Sequence, residues 1–247
     1  MRLILLILLV ALNCDAQYLQ HRRKAFRPAA AAPAFNPSTI TGYPCNDWWP
    51  GDNYDGTTWA NSGSSGISLT NLNATHRPST TTVNGHTVLV FDGTDDTLKA
   101  ALWSNTSVAG TEMVMAVAFD WTGLTARRIW SDKTSINCRL NVTTGVMYWR
   151  AGNGPLLIPT NLWMVVNLTA STASAGAIYT NNVQYFSSGA LAALLTDGIQ
   201  ISGRYSDDLE PTAMRLGEVI IYNTNLSTAV RTQVYDYLTN KYSIPAP

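Results

Sequence analysis

Three aspartates within one short segment, DGTDD, are the residues of this sequence best placed to do chemistry. Asp92, Asp95 and Asp96 fall between two predicted strands, and carboxylate oxygens are ligands that Ca²⁺ prefers in proteins. Aspartate side chains also accept hydrogen bonds from neighbouring backbone N–H groups, and Asp-Gly is a common turn sequence. The segment therefore predicts either a Ca²⁺ site or a structural turn. Asp207 and Asp208 form a second, weaker candidate for the ion.

Aromatic and polar side chains in two further segments could bind a sugar. Pyranose rings pack against aromatic faces, while Asn, Asp and Arg side chains bond the hydroxyl groups. Side chains alternate along a predicted strand at residues 147–150, so one pair of them faces outward beside the loop at 152–154. The candidate carbohydrate-binding residues of the two segments are Tyr148, Trp149, Arg150, Asn153, Arg204, Tyr205 and Asp207. The alternative is that both segments are solvated loops without a ligand.

Groups for acid-base catalysis are scarce. The sequence holds three glutamates, Glu112, Glu210 and Glu218, and three histidines. Hydrolysis of a glycosidic bond generally needs two carboxylates that flank the bond, and these glutamates lie far apart in the sequence. The histidines occur in no metal-binding spacing and no nucleophile motif. We therefore expect that the chain is not an enzyme, and a glycan hydrolase with unrecognised carboxylates is the alternative.

The composition is typical of an extracellular β protein. Of the 247 residues, 46% are apolar and 13% are charged, and this charged share is about half the usual one for a soluble domain. The 16 basic residues balance the 16 acidic ones, so the chain has no basic field to hold a nucleic-acid backbone. We expect no nucleic-acid partner.

The N-terminus predicts a targeting segment followed by an arm. Residues 1–16 place Arg2 before an unbroken apolar run and end in a small residue, which is typical of a signal peptide. The apolar run is too short to span a membrane, so we expect a secreted protein with no membrane span after cleavage. Residues 17–44 are rich in Pro and Ala and predict an extended linker or arm. The basic cluster at 22–24 is either a processing site or a solvated run of charge.

From Trp48 onward, short apolar or alternating runs are separated by turn residues, which is the spacing of a β-sandwich. The run at 113–119 is apolar throughout, so it predicts a central strand covered on both faces. Ser227 can cap a helix over residues 227–242, where apolar side chains recur at steps of three and four. Trp130 and Trp163 lie in apolar runs and are expected in the core. The predicted strands are 87–91, 113–121, 127–130, 137–142, 146–150, 163–168, 177–180, 183–186, 199–202 and 214–222.

Two separated blocks of sequence carry a family resemblance. The opening block consists of WANSG at 59–63, RP at 77–78, NG at 84–85 and VLVFDGTDDTL at 88–98. The closing block consists of ISGRYSDD at 201–208, LGEVIIYN at 216–223, LS at 226–227 and YLTNKY at 237–242. In this order they resemble the laminin-G-like, concanavalin-A-like jelly-roll family of lectin and glucanase folds. The resemblance implies an all-β fold over residues 45–247, a two-sheet antiparallel jelly-roll sandwich with one C-terminal helix.

Two kinds of residue could be modified in an oxidising compartment. Cys45 and Cys138 are the cysteines left after signal cleavage, and they either form a disulfide or stay as separate buried thiols. Five Asn-x-Ser/Thr sequences could carry glycans in a eukaryotic secretory pathway, although a chain rich in Ser and Thr also contains such sequences by chance. They begin at Asn73, Asn105, Asn141, Asn167 and Asn225.

The predicted signal peptide, the family resemblance and the scarcity of catalytic groups together predict a secreted, non-catalytic domain. We expect it to bind carbohydrate or another surface polymer, in the manner of a lectin or adhesion module. Its expected partner is a glycan or a cell-surface or matrix polymer. Because one sandwich fold hosts many functions, a structural role is the alternative. In that case the chain is a subunit of an extracellular or viral shell, filament or matrix that assembles through residues 17–44.

Overall fold

A computed structural model describes residues 35–104, 110–120, 127–133, 137–141, 146–149, 152–157, 159–170, 175–190 and 198–245, with the backbone alone at 137–141, 146–149, 152–157, 175 and 186–190. Asn36–Pro247 forms one compact unit, which therefore includes the end of the predicted arm. Pro37 is buried there, and the Tyr222 hydroxyl donates a hydrogen bond to its carbonyl oxygen at 3.4 Å. The predicted signal peptide, the basic cluster and most of the arm lie outside the described residues.

The compact unit is a sandwich of two antiparallel sheets, as predicted. The strands of sheet A are β1 (Cys45–Pro50), β4 (Ser79–Val83), β5 (His86–Asp92), β7 (Thr111–Phe119), β12 (Trp163–Ala170), β13 (Ala175–Thr180), β14 (Val183–Ala190) and β16 (Ala213–Tyr222). The strands of sheet B are β2 (Thr58–Trp59), β3 (Leu69–Thr70), β6 (Leu98–Ala100), β8 (Arg127–Asp132), β9 (Asn137–Asn141), β10 (Val146–Trp149), β11 (Gly152–Leu157) and β15 (Ile199–Ile201). Sheet A has the order β14-β13-β12-β7-β16-β5-β4, with β1 also paired to β16, and sheet B has the order β11-β10-β9-β8-β15-β6-β3-β2.

Strand β7 is the central strand that its apolar run predicts. It pairs with β12 on one side and β16 on the other, and all of its residues are buried. Met113, Met115, Val117 and Phe119 face the core between the sheets. The alternate side chains lie on the outer face of sheet A, where the single described α-helix, α1 (Thr228–Tyr242), packs. The Oγ of Ser227 accepts a hydrogen bond from Val230 N at 3.4 Å, which confirms the predicted cap.

Residues of the closing block pack against one another at the C-terminal end of α1. The Tyr242 hydroxyl donates to Gly217 O at 2.8 Å, and a side chain at Gly217 would collide with the tyrosine ring. Glu218 is fully buried beside them and accepts hydrogen bonds from Trp48 Nε1 at 2.5 Å and Lys241 Nζ at 2.8 Å. Burial raises the pKa of Glu218, and the ammonium group of Lys241 opposes this rise. This carboxylate therefore holds helix and sheet together.

The opening block is organised around a second buried carboxylate. Asp47 is fully buried in β1 and accepts hydrogen bonds from Asn61 Nδ2 and Trp103 Nε1, each at 2.7 Å. The Oδ1 of Asn61 in turn accepts from Trp48 N and Gly63 N, at 2.9 and 2.6 Å. Because a buried carboxylate needs several donors to replace its lost water, these contacts fix the loop against β1.

One prediction about a large side chain needs correction. Trp130 is in the core as expected, but Trp163 is half-buried on the outer face of sheet A, with its ring stacked on Tyr242 at 5.8 Å. Of the two cysteines, Cys45 is a free buried thiol in β1, and the structure describes only the backbone of Cys138, in β9. Burial, with smaller contributions from nearby carboxylates, raises the pKa of Cys45 to about 12, so this thiol is unreactive.

Burial also decides among the predicted glycosylation sites. Asn73 is exposed at the start of a short 3₁₀ turn, and Asn225 is half-buried. Asn167 is 3% exposed, and its Nδ2 donates to Glu112 at 2.5 Å, so it cannot accept a glycan in the folded protein. The side chains of Asn105 and Asn141 lie outside the description.

Candidate functional site

Two connections between the sheets lie side by side at one end of the sandwich. The acidic turn, residues 92–96, joins β5 to β6, and the β15–β16 loop, residues 202–212, returns from sheet B to sheet A. Asp92 pairs with Ala213, and Leu98 pairs with Ile201, so the two connections start and finish opposite each other. The fold therefore brings together two of the segments that the sequence singles out.

The acidic turn has the hydrogen bonds of a structural turn and also clusters its carboxylates. Asp92 Oδ1 accepts from Thr94 N at 2.7 Å, and Asp96 Oδ2 accepts from Asp92 N at 2.9 Å. One oxygen from each of Asp92, Asp95 and Asp96 lies within 4.8 Å of the others. Ca²⁺ binds oxygen at about 2.3–2.6 Å, so its ligand oxygens lie at most about 5 Å apart, and this set fits. His76 Nε2 lies 3.6 Å from Asp95 Oδ2. Calcium binding stays a prediction.

Replacing Asp96 with Asn should change how stability depends on pH. Burial, followed by the carboxylates of Asp92 and Asp95, raises the pKa of Asp96 to about 6. Its pKa is higher in the folded state, so wild-type stability falls as pH rises between about 4 and 6. Asp96→Asn should therefore raise the free energy of unfolding at pH 7.5 by about 1–3 kcal/mol and have little effect at pH 4. Urea denaturation at both pH values, without divalent cations, measures the change.

A higher free energy of unfolding for the wild type than for Asp96→Asn, in metal-free buffer at pH 7.5, would contradict this expectation. The same pair of proteins also tests the ion. If Ca²⁺ binds the acidic turn, millimolar CaCl₂ should stabilise the wild type and leave Asp96→Asn unchanged, because a ligand stabilises only the state that binds it.

Glutamate and arginine side chains tie the β15–β16 loop together. Glu210 accepts hydrogen bonds from Arg128 Nε at 2.7 Å and Arg204 Nη2 at 3.3 Å. Arg204 Nε lies 3.1 Å from Asp207 Oδ1. Arg128 is 4% exposed, so its pairing with Glu210 anchors the loop to β8. Arg204 and Asp207 are more exposed and present polar groups to solvent.

The backbone of this loop is strained. Ser202, Asp208 and Glu210 have φ angles of 61°, 60° and 61°. Such left-handed values are uncommon for residues other than Gly, Asn and Asp, because the Cβ atom crowds the backbone, so Ser202 and Glu210 are the strained residues of the loop. Among the described residues, Ser243 is the one further case outside Gly and Asn. Strain of this kind concentrates at functional sites, where the surrounding contacts hold it in place.

The loop folds over the outer face of sheet B. Ile199 and Ile201 face the core, so Gln200 between them faces outward, yet it is fully buried. Its Nε2 donates to Ser202 O at 2.8 Å, whereas its Oε1 has no hydrogen-bond partner among the described residues. Ser131 Oγ accepts from Tyr205 N at 2.8 Å and secures the loop to β8. A buried amide oxygen left without a donor costs free energy, so the contact between loop and sheet is incompletely satisfied.

Tyr205 presents a half-exposed ring at the centre of this surface. The ring lies close against Gly198, where a side chain would collide with it. Lys99 Nζ is 5.6 Å and Lys133 Nζ is 5.9 Å from the ring centroid. Asp208 Oδ1 lies 2.5 Å from Lys99 Nζ. An aromatic ring with charged donors and acceptors around it is the arrangement that binds a sugar ring and its hydroxyl groups.

The other predicted carbohydrate-binding residues belong to the same sheet. Tyr148 pairs with Asn153 on one side and with Arg139 on the other, and Arg139 pairs with Arg128. This row of paired residues therefore leads across sheet B to the strand that anchors the β15–β16 loop. Trp149 lies in β10 next to Tyr148, and the structure describes only the backbone of these residues. Arg150 lies outside the described residues.

Several residues of this surface carry no signal in the sequence. Lys99 and Lys133 lie far from Tyr205 in the sequence and reach it because β6, β15 and β8 are neighbours in sheet B, and the same strand order brings Arg128 to Glu210. Glu210 follows Arg204 by six residues, and only the strained course of the loop brings the two side chains together. No spacing in the sequence signals these contacts.

Comparisons with known proteins show a shared fold. No family model matches the chain, and no curated protein matches it. A Trypanosoma rangeli sialidase in complex with a difluorinated sugar acid is 15% identical with a TM-score of 0.59, covering 86% of this chain and 36% of that one. Domain 4 of an extracellular GH43 arabinanase from Geobacillus stearothermophilus, in complex with arabinotriose, is 14% identical with a TM-score of 0.57, covering 79% and 98%. The binding domain of botulinum neurotoxin serotype D is 11% identical with a TM-score of 0.58, covering 78% and 50%.

These similarities show a β-sandwich fold, and no family model confirms the resemblance seen in the motifs. The chain spans between 33% and 39% of the length of the six sialidase structures that it matches. At identities of 11–16% the likeness shows the fold alone.

The prediction that the chain is not an enzyme is wrong. It depended on scarce glutamates and histidines, but sialidases, which are enzymes, are similar in structure over most of this chain. A fold shared with a glycosidase removes that ground for excluding catalysis.

Within the part of the chain that the structure describes, no helix is long and apolar enough to cross a membrane.

Proposed function

We propose that the chain binds carbohydrate on sheet B, through the β15–β16 loop with Tyr205 at its centre. The observation that carries the proposal is the half-exposed Tyr205 ring, held on a strained loop with Lys99 and Lys133 beside it. The ring supplies an apolar face for a pyranose, and Arg204 and Asp207 supply donors and acceptors for hydroxyl groups. A preformed loop keeps the entropic cost of binding low.

The arabinanase domain is the most relevant comparison for this proposal. It is matched over 98% of its length, and it was solved with an oligosaccharide bound. The sialidases are matched over about a third of their length, so the chemistry of the whole sialidase is a weaker guide to the function of this chain. Secretion, calcium binding and assembly through residues 17–44 stay predictions beside this proposal.

A glycan array tests the proposal directly. The purified chain should bind a defined group of saccharides on the array, and soluble competitor should displace it. Isothermal titration calorimetry with the best saccharide should give a Kd in the micromolar to millimolar range, about −8 to −4 kcal/mol. Absence of any binding at high protein concentration, in the presence and absence of Ca²⁺, would contradict the proposal.

Hydrolysis of a glycan is a second candidate, favoured by the acidic turn. Asp96 has a raised pKa of about 6, and oxygens of Asp92 and Asp95 lie within 4.8 Å of its own. An acid with a raised pKa close to a second carboxylate is the pattern of a retaining glycosidase, whose carboxyl groups are about 5–5.5 Å apart. Release of a fluorescent aglycone from a panel of synthetic glycosides tests this candidate. Activity that Asp96→Asn abolishes would support it, and inactivity across the panel would contradict it.

A further inference from the structure

We propose that the β15–β16 loop binds a chain of about three or more linked sugars, which runs from the Tyr205 ring across the outer face of sheet B to its edge strand β2. The inference rests on the proposed carbohydrate-binding function and adds the length and the path of the ligand. It distinguishes a protein that holds a stretch of a glycan from one that holds a single terminal sugar.

A row of outward-facing side chains begins beside Tyr205 and follows three neighbouring strands to the edge of the sheet. It consists of Lys99 in β6, Thr70 in β3 and Thr58 in β2. Lys99 pairs with Thr70, and Thr70 pairs with Thr58. Because side chains alternate along a strand, these three face outward where the residues next to them face the core. Those core residues are Leu98, Ala100, Leu69 and Trp59.

The cover that the β15–β16 loop provides ends at Lys99. Gln200 pairs with Lys99 and is fully buried beneath the loop. Asp208 reaches from the loop to Lys99, with 2.5 Å between Oδ1 and Nζ. Thr70 and Thr58, on the next two strands, are half-exposed. The loop therefore forms a wall, and β3 and β2 form a floor beside it.

The row starts within reach of a sugar seated on the ring. Lys99 Nζ lies 5.6 Å from the centroid of the Tyr205 ring. The hydroxyl groups of Thr70 and Thr58 each offer a donor and two acceptor positions, and neither makes a hydrogen bond within the described part of the chain. A sugar chain that leaves the ring in this direction therefore meets a hydrogen-bonding side chain on each strand that it crosses.

The width of this part of the sheet sets the length of the bound chain. Neighbouring strands lie about 4.8 Å apart, so β15, beneath the loop, is about 14 Å from β2. This distance is about the length of three linked pyranose rings. Because β2 is the last strand of sheet B, further sugars would pass the edge of the sheet and gain little contact.

Saccharides of increasing length test the predicted path. The probes are arabino-, xylo- and cello-oligosaccharides of one to six units, together with the strongest-binding glycan of the array shortened one sugar at a time. In calorimetric titrations of a series that binds, the trimer should bind at least about tenfold more tightly than the single sugar. Units beyond the fourth should change the Kd by less than about twofold, because they lie beyond the edge strand.

Threonine substitutions locate the path. Thr58→Ala combined with Thr70→Ala removes two hydroxyl groups from the row and should weaken binding of the trimer about three- to tenfold. Binding of the single sugar should stay within about twofold, since that sugar lies on Tyr205. Thr80→Ala combined with Thr82→Ala is the matched control, because it removes the same atoms from exposed positions of β4 in sheet A. Circular dichroism checks that both variants fold.

Amide signals report the path without any substitution. In ¹H–¹⁵N NMR titrations, the trimer should shift the amide signals of Thr58 and Thr70 as well as those of the loop. The single sugar should shift the signals of the loop and leave those of Thr58 and Thr70 in place.

The outcomes separate the inference from the function on which it rests. A single sugar that binds within about twofold of the trimer would overturn the extended ligand and leave carbohydrate binding at the loop intact. A gain with length that persists in the variant lacking both threonine hydroxyls, without shifts at Thr58 and Thr70, would also overturn the inference, because the chain would then follow another path. If no saccharide of any length binds, on the array or in solution, both the inference and the proposed function are wrong.

Discussion

Tyr205→Ala should raise the Kd for saccharide at least about tenfold, which corresponds to about 1.4 kcal/mol. The ring is the main apolar surface of the site, and central aromatic side chains dominate the energetics of binding sites. Tyr205→Phe keeps the ring and should bind nearly as well as the wild type. Calorimetric titration of the three proteins with the saccharide selected on the array measures these differences.

A second tyrosine provides a matched control. Tyr185, in β14 of sheet A, is 56% exposed and lies away from the β15–β16 loop. Tyr185→Ala removes the same atoms and should leave the Kd unchanged. If Tyr205→Ala binds as tightly as Tyr185→Ala, the ring does not contact the sugar and the site lies elsewhere.

Arg231→Met should cause the largest loss of stability, about 3–5 kcal/mol. Glu112 is fully buried on the outer face of sheet A, and Arg231 binds it through Nε at 2.8 Å and Nη2 at 3.0 Å. The variant leaves this carboxylate without its counter-charge, although Leu226 N still donates to it at 2.7 Å. A domain of ordinary stability, about 5–15 kcal/mol, loses much of it in this way. Urea denaturation measures the change.

Two further variants show whether the buried charge is the cause. Glu112→Gln combined with Arg231→Met removes the charge and should recover part of the loss, because an uncompensated carboxylate is costlier than a neutral amide. Arg215→Met removes a half-exposed arginine from the same sheet and should cost no more than about 1 kcal/mol. A loss below about 1 kcal/mol in Arg231→Met itself would show that Glu112 does not depend on this pairing.

The strands with strong apolar patterns could be predicted from the sequence, and those without such patterns could not. The run at 113–119 and the helix after Ser227 appear where expected. By contrast, β4 (STTTV) is almost wholly exposed, β11 (GNGPLL) contains Gly and Pro, and β1 (CNDWWP) contains Asn, Asp and Pro. These strands are specified by pairing with neighbours, so their own sequences carry little signal.

Trp163 shows the same limit for side chains. Its apolar neighbours indicate a core position, but alternation along β12 sends Met164 into the core and Trp163 to the outer face. The register with β7, where Trp163 pairs with Ala118, decides which face of the sheet each side chain of β12 occupies. A short apolar run does not reveal which of its two faces is the core.

In the candidate site, too, features of the local sequence could be predicted, and features that depend on the pairing of strands could not. The three aspartates of the acidic turn are adjacent in sequence, so their clustering could be predicted, and Arg204 and Tyr205 stand out as polar and aromatic residues in a loop. Lys99 and Lys133 reach Tyr205 only through the order of strands in sheet B. The state of the cysteines could not be predicted for a related reason, because the sequence does not tell how the β1 and β9 strands that carry Cys45 and Cys138 lie relative to each other.

The most direct test of carbohydrate binding at the β15–β16 loop is a two-dimensional ¹H–¹⁵N NMR titration of the chain with the saccharide selected on the array. Amide signals of residues 198–210, Lys99 and Lys133 should shift together and saturate with a single Kd. Titration of Tyr205→Ala should give much smaller shifts at the same concentrations. Absence of shifts at about 10 mM saccharide, or shifts confined to another surface such as the one around Trp163, would contradict the assignment of this loop as the binding site.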